Sequence, residues 1–341
     1  MELMQVGRIF AARDVRVVEE PKPVPGEGES LVRVTAVGLC GSDLHWFTEG
    51  GIGDATIANP LVLGHEFAGV VEGGPLDGRI VAVDPARPCH HCADCLEGNH
   101  NLCVNVQFAG HGSNDGGLRE YVAWPTELLF PVPEGMTAIE AALLEPLGVA
   151  LHAWDLGRAK VGSNIAIVGA GPIGVCLVKL ARAAGMGTVV VVEPLEHRRA
   201  AALAAGADAV FAPDEDSLES TINAALRHGR VDYVFEITDH HTGAPLAIEL
   251  AKPGGTVVLA GIPDNDETTF QASVARRKGL TIKVSRRMGD VYPRAVELVS
   301  RGIVEVRSLA THVFPMHDVS DAFKQAESRV GLKVVVQPSS D

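Results

Sequence analysis

At 341 residues the chain is long enough for about two domains and a large core. Its 46% hydrophobic and 21% charged content is that of an ordinary globular protein, and no stretch approaches a membrane span. A net charge of −14 argues against nucleic acid and anionic membrane surfaces as partners, because neutralising phosphates requires clustered Lys and Arg. The N-terminus lacks the apolar core of a signal peptide, so the cytoplasm is the expected compartment.

Residues 1 to about 145 read as a mainly β region. Strand-like runs such as Leu31–Val37 and Phe67–Val71 are broken there by Gly and Pro turns. Within it, Cys89-x2-Cys92-x2-Cys95-x7-Cys103 places four of the chain's six cysteines in one short loop. In a reducing compartment that clustering reads as metal ligation before disulfides. Four thiolates closing a tetrahedral Zn²⁺ leave no open position, so the role is structural. An iron–sulfur cluster also takes four thiolates, but nothing else in the chain points to electron transfer. His90, His91 and His100 share the loop and are read as solvated.

From about residue 160 the pattern becomes βα alternation. The apolar run from Asn164 breaks into Gly169-x-Gly171-Pro172-Ile173-Gly174 and continues as a helix from Val175 to Ala184. The first glycine allows the sharp turn, the second lets backbone N–H groups approach a pyrophosphate, and the third lets helix pack on strand. The phosphates then face the helix N-terminus, where unpaired donors point. A second apolar run, Thr188–Val192, ends in Glu193, nineteen residues after Gly174. A carboxylate there accepts from the ribose hydroxyls and repels a 2′-phosphate, which favours NAD over NADP; Arg198 and Arg199 just beyond pull the other way. Further strands at Ala209–Phe211, Val231–Glu236 and Thr256–Gly261 alternate with helices at Glu196–Ala205, Ser217–His228 and Gly243–Ala251. Six strands fit one doubly wound parallel sheet ending near Val284. Helices at Tyr292–Arg301 and Val319–Ser328 and a last apolar strand, Leu332–Val336, close the chain.

A second set of metal-type residues is dispersed: Cys40 in Gly38-Leu-Cys-Gly-Ser-Asp-Leu-His45, then Gly64-His65-Glu66, then Glu145 in Leu143-Leu-Glu-Pro-Leu. A catalytic zinc needs three mixed donors and an open position. Spacing alone does not separate that role from a core cysteine, a hydrogen-bonded histidine and helix-start carboxylates.

The combination of G-x-C-G-S-D-x-H, G-H-E, the four-cysteine loop and the later G-x-G-x-x-G resembles the zinc-dependent medium-chain alcohol dehydrogenase family over essentially the whole chain. Glu145-Pro-Leu followed by Val-Ala-Leu-His-Ala resembles its sorbitol, or polyol, dehydrogenase branch. The resemblance implies a Rossmann NAD-binding domain, residues 151–285, inserted in a mainly β, GroES-like catalytic domain formed by residues 1–150 and 286–341. It implies two Zn²⁺ per chain. Cys40, His65 and Glu66 surround the catalytic one, with Glu145 as a fourth ligand or the holder of a zinc-bound water; Cys89, Cys92, Cys95 and Cys103 hold the structural one. Ser42 and His45 match the family's proton-relay hydroxyl and histidine, passing the proton by way of the cofactor ribose, and Asp43 orients a ligand. Trp46, Phe108 and Arg287 match substrate-pocket positions, while Met288 stands where relatives often carry an aromatic residue.

The implied reaction is oxidation of a secondary alcohol of a polyol or sugar alcohol to a ketone, with hydride transfer to NAD. Within the family the alternatives are a sugar, aldonate or threonine dehydrogenase, for which Arg286 and Arg287 could form an anionic-substrate pocket. A non-catalytic nucleotide-binding regulatory protein or a metal-free quinone reductase would lack ligands at positions 40, 65 or 66, all of which are present. Relatives are frequently homo-oligomers, dimers or tetramers, pairing through an edge strand of the Rossmann sheet, here Thr256–Gly261 or Leu280–Val284.

Overall fold

The computed structural model describes residues 2–53, 55–215, 217–263 and 266–339. It divides into two compact units, one formed by Met1–Glu145, Tyr292–Gly302 and Val306–Asp341, the other by Pro146–Val291 with Ile303–Glu305.

The first unit is built on a seven-stranded sheet. Its path runs Leu129–Pro131, Ile80–Val83, Glu66–Glu72, Glu29–Gly38, Lys333–Gln337, Ala310–Pro315, with Tyr121–Pro125 also paired to Glu29–Gly38. The central strand Glu29–Gly38 alternates buried and half-buried residues at its start and is wholly buried from Val34 onward. Its Val34 and Val37 join Phe67, Trp124 and Phe323 in the core of this unit. The last strand, Lys333–Gln337, pairs antiparallel with it, Val335 opposite Gly38. On the other side Glu66 stands opposite Gly38, so strands distant in sequence converge on one glycine.

The second unit is a six-stranded parallel sheet in the order Ala209–Phe211, Val189–Val192, Ile165–Val168, Val231–Glu236, Ala251–Leu259, Thr281–Val284. Val189–Val192 is buried at all four positions, as a parallel strand with helices on both faces requires. The order reverses at Ile165–Val168, the switch point where doubly wound sheets bind ligands. Two of the helices begin where expected and the middle one begins a residue later, and all end a residue or three earlier: Glu196–Ala204, Leu218–Ala225 and Gly243–Leu250. A short basic helix, Ala272–Lys278, was not predicted, because no apolar periodicity marks it. One expectation is corrected. The strand holding Thr256–Leu259 is paired on both sides, so it is not an edge; Thr281–Val284 is, with Val284 76% exposed.

Candidate active site

The site in the first unit starts from Gly38. A Cβ there would lie 2.2 Å from Glu66 Oε2, so only glycine lets the paired strand turn its carboxylate inward. Two residues on, Cys40 caps the helix Gly41–Glu49. Asp43, in the first turn, accepts from the Cys40 N–H at 2.9 Å and from the Gly64 N–H at 3.2 Å, and faces His65 Nδ1 at 3.5 Å. Gly64 has φ 89°, the left-handed bend that presents His65 and Glu66 in succession. Burial would raise the Asp43 carboxyl, but the His65 ring and the two backbone donors hold it below the ordinary carboxylate value. Asp43 thereby fixes His65 through Nδ1 and leaves Nε2 for a ligand, the arrangement that orients metal-binding histidines.

Among the described residues, donor atoms of Cys40, His65 and Glu66 lie within 4.8 Å of one another, and His65 and Glu66 are buried. Glu66 Oε1 accepts from Lys333 Nζ at 2.6 Å, and the same ammonium donates to the Leu39 carbonyl at 3.0 Å. Glu66 Oε2 is sealed from solvent and has no hydrogen-bond partner among the described residues. Leaving a carboxylate oxygen bare in the interior costs free energy, and a cation among these three donors removes that cost. Sulfur, nitrogen and oxygen donors in one set suit zinc. The residues present therefore fit the metal. Replacing Gly38 by Ala is expected to push Glu66 Oε2 out of this set and to cut zinc affinity by roughly 10–100-fold, read by competition with a chelating dye. Unchanged affinity would show that Oε2 does not contribute.

Glu145, at the start of the helix Leu144–Gly157, is buried but outside the 4.8 Å set. Burial first and Glu66 second push its carboxyl up to about 8, against the opposing pull of His65 and Lys333. Ser42 Oγ lies 3.5 Å from His65 Nε2. His45 sits one turn along the helix, its Nδ1 3.0 Å from Glu49 Oε1. The Phe108 ring is centred 5.2 Å from that of His65. Trp46 is buried in the core of this unit, edge-on to His111 at 5.7 Å. Arg287 belongs to the second unit, with φ 53°, next to Met288, which packs where a Cβ on Gly148 would come within 2.5 Å of its sulfur.

Lys333 was missed in the sequence. Its only sign is a single lysine inside an otherwise apolar strand. Burial would lower its pKa, but Glu66 and Cys40 outweigh that and hold the ammonium above the ordinary lysine value.

The four-cysteine loop is local and self-contained. The sulfurs of Cys89, Cys92, Cys95 and Cys103 lie within 4.8 Å of one another. Backbone N–H groups point at them, Cys92 N–H to Cys89 Sγ at 3.4 Å and Cys89 N–H to Cys103 Sγ at 3.3 Å. Backbone donation by His91 is the first of several contacts that hold the Cys89 thiol at about 5, whereas burial and the neighbouring sulfurs push Cys95 up to about 12. Four sulfur donors gathered this closely suit a single tetrahedral cation. The three histidines are exposed and outside the set; His90 faces Glu127 at 3.2 Å.

In the second unit Gly169 has φ 102°, and a Cβ on Gly174 would meet the Gly169 carbonyl oxygen at 2.0 Å, so the turn and the helix packing both demand glycine. A Cβ on Gly171 meets nothing closer than Arg198 at 4.0 Å, leaving the turn open on that side. Pro172 opens the helix Pro172–Ala183 and Ile173 follows it. Glu193 is buried beside the turn: Oε2 accepts from the Ala170 N–H at 2.7 Å and Oε1 from the Leu195 N–H at 3.0 Å. Arg199 is occupied by its own backbone, donating to the carbonyls of Glu193 and Pro194 at 2.8 and 2.7 Å.

Comparison with known proteins agrees with this fold. Residues 26–134 match the alcohol dehydrogenase GroES-like domain and residues 172–301 the zinc-binding dehydrogenase domain. The chain is 32% identical to a sorbitol dehydrogenase of Bacillus subtilis over 345 aligned residues, 98% of each chain. It is 34% identical to a probable D-xylulose reductase A of Aspergillus clavatus, over 93% of this chain and 92% of that one. Among solved structures, L-idonate 5-dehydrogenase from Escherichia coli superposes with a TM-score of 0.91 at 28% identity, over 98% of both chains. The chain belongs to the zinc-dependent medium-chain alcohol dehydrogenase family, in its polyol dehydrogenase branch.

Proposed function

We propose that the chain oxidises a secondary hydroxyl of a polyol to the ketone, reversibly, with Cys40, His65 and Glu66 holding the catalytic zinc and NAD as the hydride acceptor. The observation that carries the reading is the bare, buried Glu66 Oε2 set against Cys40 and His65. The polyol class rests on the relatives that act on sorbitol and D-xylulose by name.

When bound, zinc supplies a Lewis acid that acidifies the substrate hydroxyl, and the nicotinamide supplies the hydride acceptor. The protein's own residues do the rest. Asp43 keeps His65 in the tautomer that offers Nε2. Ser42, beside that nitrogen, takes the hydroxyl proton as it gives up its own, and His45, its ring steadied by Glu49, is the group that delivers a proton to solvent. Glu145, buried outside the donor set, would serve as a fourth ligand or as the holder of a water at the metal, and Phe108 provides an apolar wall beside the His65 ring. Ser42→Ala is expected to lower kcat by roughly 100-fold with little change in KM. Turnover at the parental rate would remove Ser42 from the pathway.

Cys89, Cys92, Cys95 and Cys103 hold the second, structural zinc in this reading. For the dinucleotide, Gly169, Gly171, Pro172, Ile173 and Gly174 form the phosphate cradle, Arg198 flanks it, and Glu193 receives the ribose hydroxyls. Arg199 has Nη1 tied to the carbonyls of Glu193 and Pro194, which holds that donor away from a 2′-phosphate and supports NAD over NADP. Replacing Glu193 by Ala is expected to raise the KM for NAD by roughly 10–100-fold, the worth of one or two hydrogen bonds, and to lower that for NADP. An unchanged ratio of the two would place selectivity elsewhere.

The exposed edge Thr281–Val284 supports a homo-oligomer paired through this strand, and a thiolate cluster suits the reducing cytoplasm. The test of the function is initial rate, followed by reduced-nicotinamide absorbance, with NAD and NADP over polyols, sugars, aldonates, secondary alcohols and threonine. Turnover with NAD and a polyol is expected. Turnover confined to an aldonate or to threonine would overturn the substrate class.

A further inference from the structure

The loop after Phe108 encloses a cleft of about 210 Å³ in the first unit, lined by Arg87, Gln107, Ser113, Asn114, Arg119 and Trp124 among others. The cations around it are unequally provided for. Arg8 is held by Glu20 and by Asp115, which also lines the cleft; Asp115 Oδ1 accepts from Arg8 at 3.0 Å and from the Val62 N–H at 3.0 Å. Arg87 stacks on Trp124 at 3.8 Å, donates to the Ala123 carbonyl at 3.0 Å and stands 3.7 Å from Glu29, but its Nε is buried and meets no acceptor. The Arg119 guanidinium has no hydrogen-bond or ion-pair partner among the described residues, and its Nε is sealed from solvent. Burial, with Arg8 and Arg87 adding to it against Asp115 and Glu20, holds its pKa below the ordinary arginine value.

A half-buried guanidinium on a cleft, with no protein acceptor among the described residues, keeps its terminal donors available to a ligand there. Arg8, Arg87 and Arg119 stand there against Glu20, Glu29 and Asp115, so in a chain of net charge −14 the charge around this cleft is balanced. The Arg119 guanidinium with the Ser113 hydroxyl and the Gln107 amide supplies donors that match a phosphate's oxygens, and Arg87, fixed on Trp124, adds positive charge beside them. We propose that the Arg87–Arg119 cleft is a binding site for a phosphate group, free or carried on a small ester. This assignment is independent of the metal cluster and of the dinucleotide cradle.

The test is titration calorimetry of the zinc-loaded protein with inorganic phosphate and with glycerol 3-phosphate, at constant ionic strength in chloride. Because phosphate can also enter the Gly169–Gly174 cradle, the quantity read is the component lost in Arg119→Gln. One saturable site per chain, absent in Arg119→Gln and weakened at least tenfold in Arg87→Gln, is expected. The tighter of the two ligands identifies the free or the esterified form. Arg119→Gln should also melt higher than wild type in phosphate-free buffer, with the gap closing as phosphate is added. Where Arg119→Gln fails to fold, Arg119→Lys, which keeps charge but not the fork, should bind at least tenfold more weakly. Identical isotherms for wild type and variant overturn the proposal. So does an unchanged isotherm with altered mass by light scattering in Arg119→Gln, which would make the occupant an acidic group of a second copy.

Discussion

Changing Cys40 to Ser is expected to lower kcat/KM by at least about a thousandfold, the size of the Lewis-acid contribution of several kcal/mol, while leaving the protein folded. The argument is local. Cys40 caps its helix through backbone geometry and through Asp43, whose carboxylate takes the Cys40 N–H regardless of the side chain at 40. What the substitution removes is the sulfur donor, leaving His65 and Glu66, one donor short of the three that a catalytic zinc needs. Metal analysis should show one equivalent of zinc lost and circular dichroism no change. Cys95→Ser is the control. It breaks the self-contained loop cluster and should cost the other equivalent and lower the melting temperature, with kcat retained in freshly prepared protein. If both variants lost activity equally without loss of fold, the division into catalytic and structural sites would be wrong.

How much of this was open to sequence reading depends on how local each feature is. The glycine turn and the four-cysteine loop each lie within fifteen residues, so their chemistry is visible in their spacing. The βα alternation read correctly because buried parallel strands such as Val189–Val192 are continuous apolar runs. Cys40, His65 and Glu66 could be grouped only through family resemblance, since strand pairing at Gly38, not spacing, brings them together. The edge of the parallel sheet was ambiguous for a related reason: Thr256–Leu259 and Thr281–Val284 differ in apolar content less than in their place in the strand order. Lys333 lies 267 residues from Glu66, and no local rule predicts that partnership. The Arg119 cleft is assembled likewise from segments that carry no motif.

Lys333→Met is the sharpest test of how the site is held together. Glu66 is 1% exposed, and its two oxygens face different cations: Oε1 has Lys333, and Oε2 has the position offered to the metal. Removing one partner of a buried pair costs about 3–5 kcal/mol, because the remaining charge has neither water nor a counter-ion. That full cost should appear in metal-free protein. In zinc-loaded protein the second cation still neutralises Glu66, so the same substitution should cost markedly less, and zinc should stabilise the variant more than it stabilises wild type. Glu66→Gln on the Lys333→Met background removes the orphaned charge and should restore most of the metal-free stability, giving a coupling energy of about 1–3 kcal/mol in a double-mutant cycle. Denaturant melts of the four proteins, each with zinc and after chelation, read every term. A Lys333→Met variant within about 0.5 kcal/mol of wild type after chelation would mean that Lys333 serves the Leu39 carbonyl rather than the carboxylate.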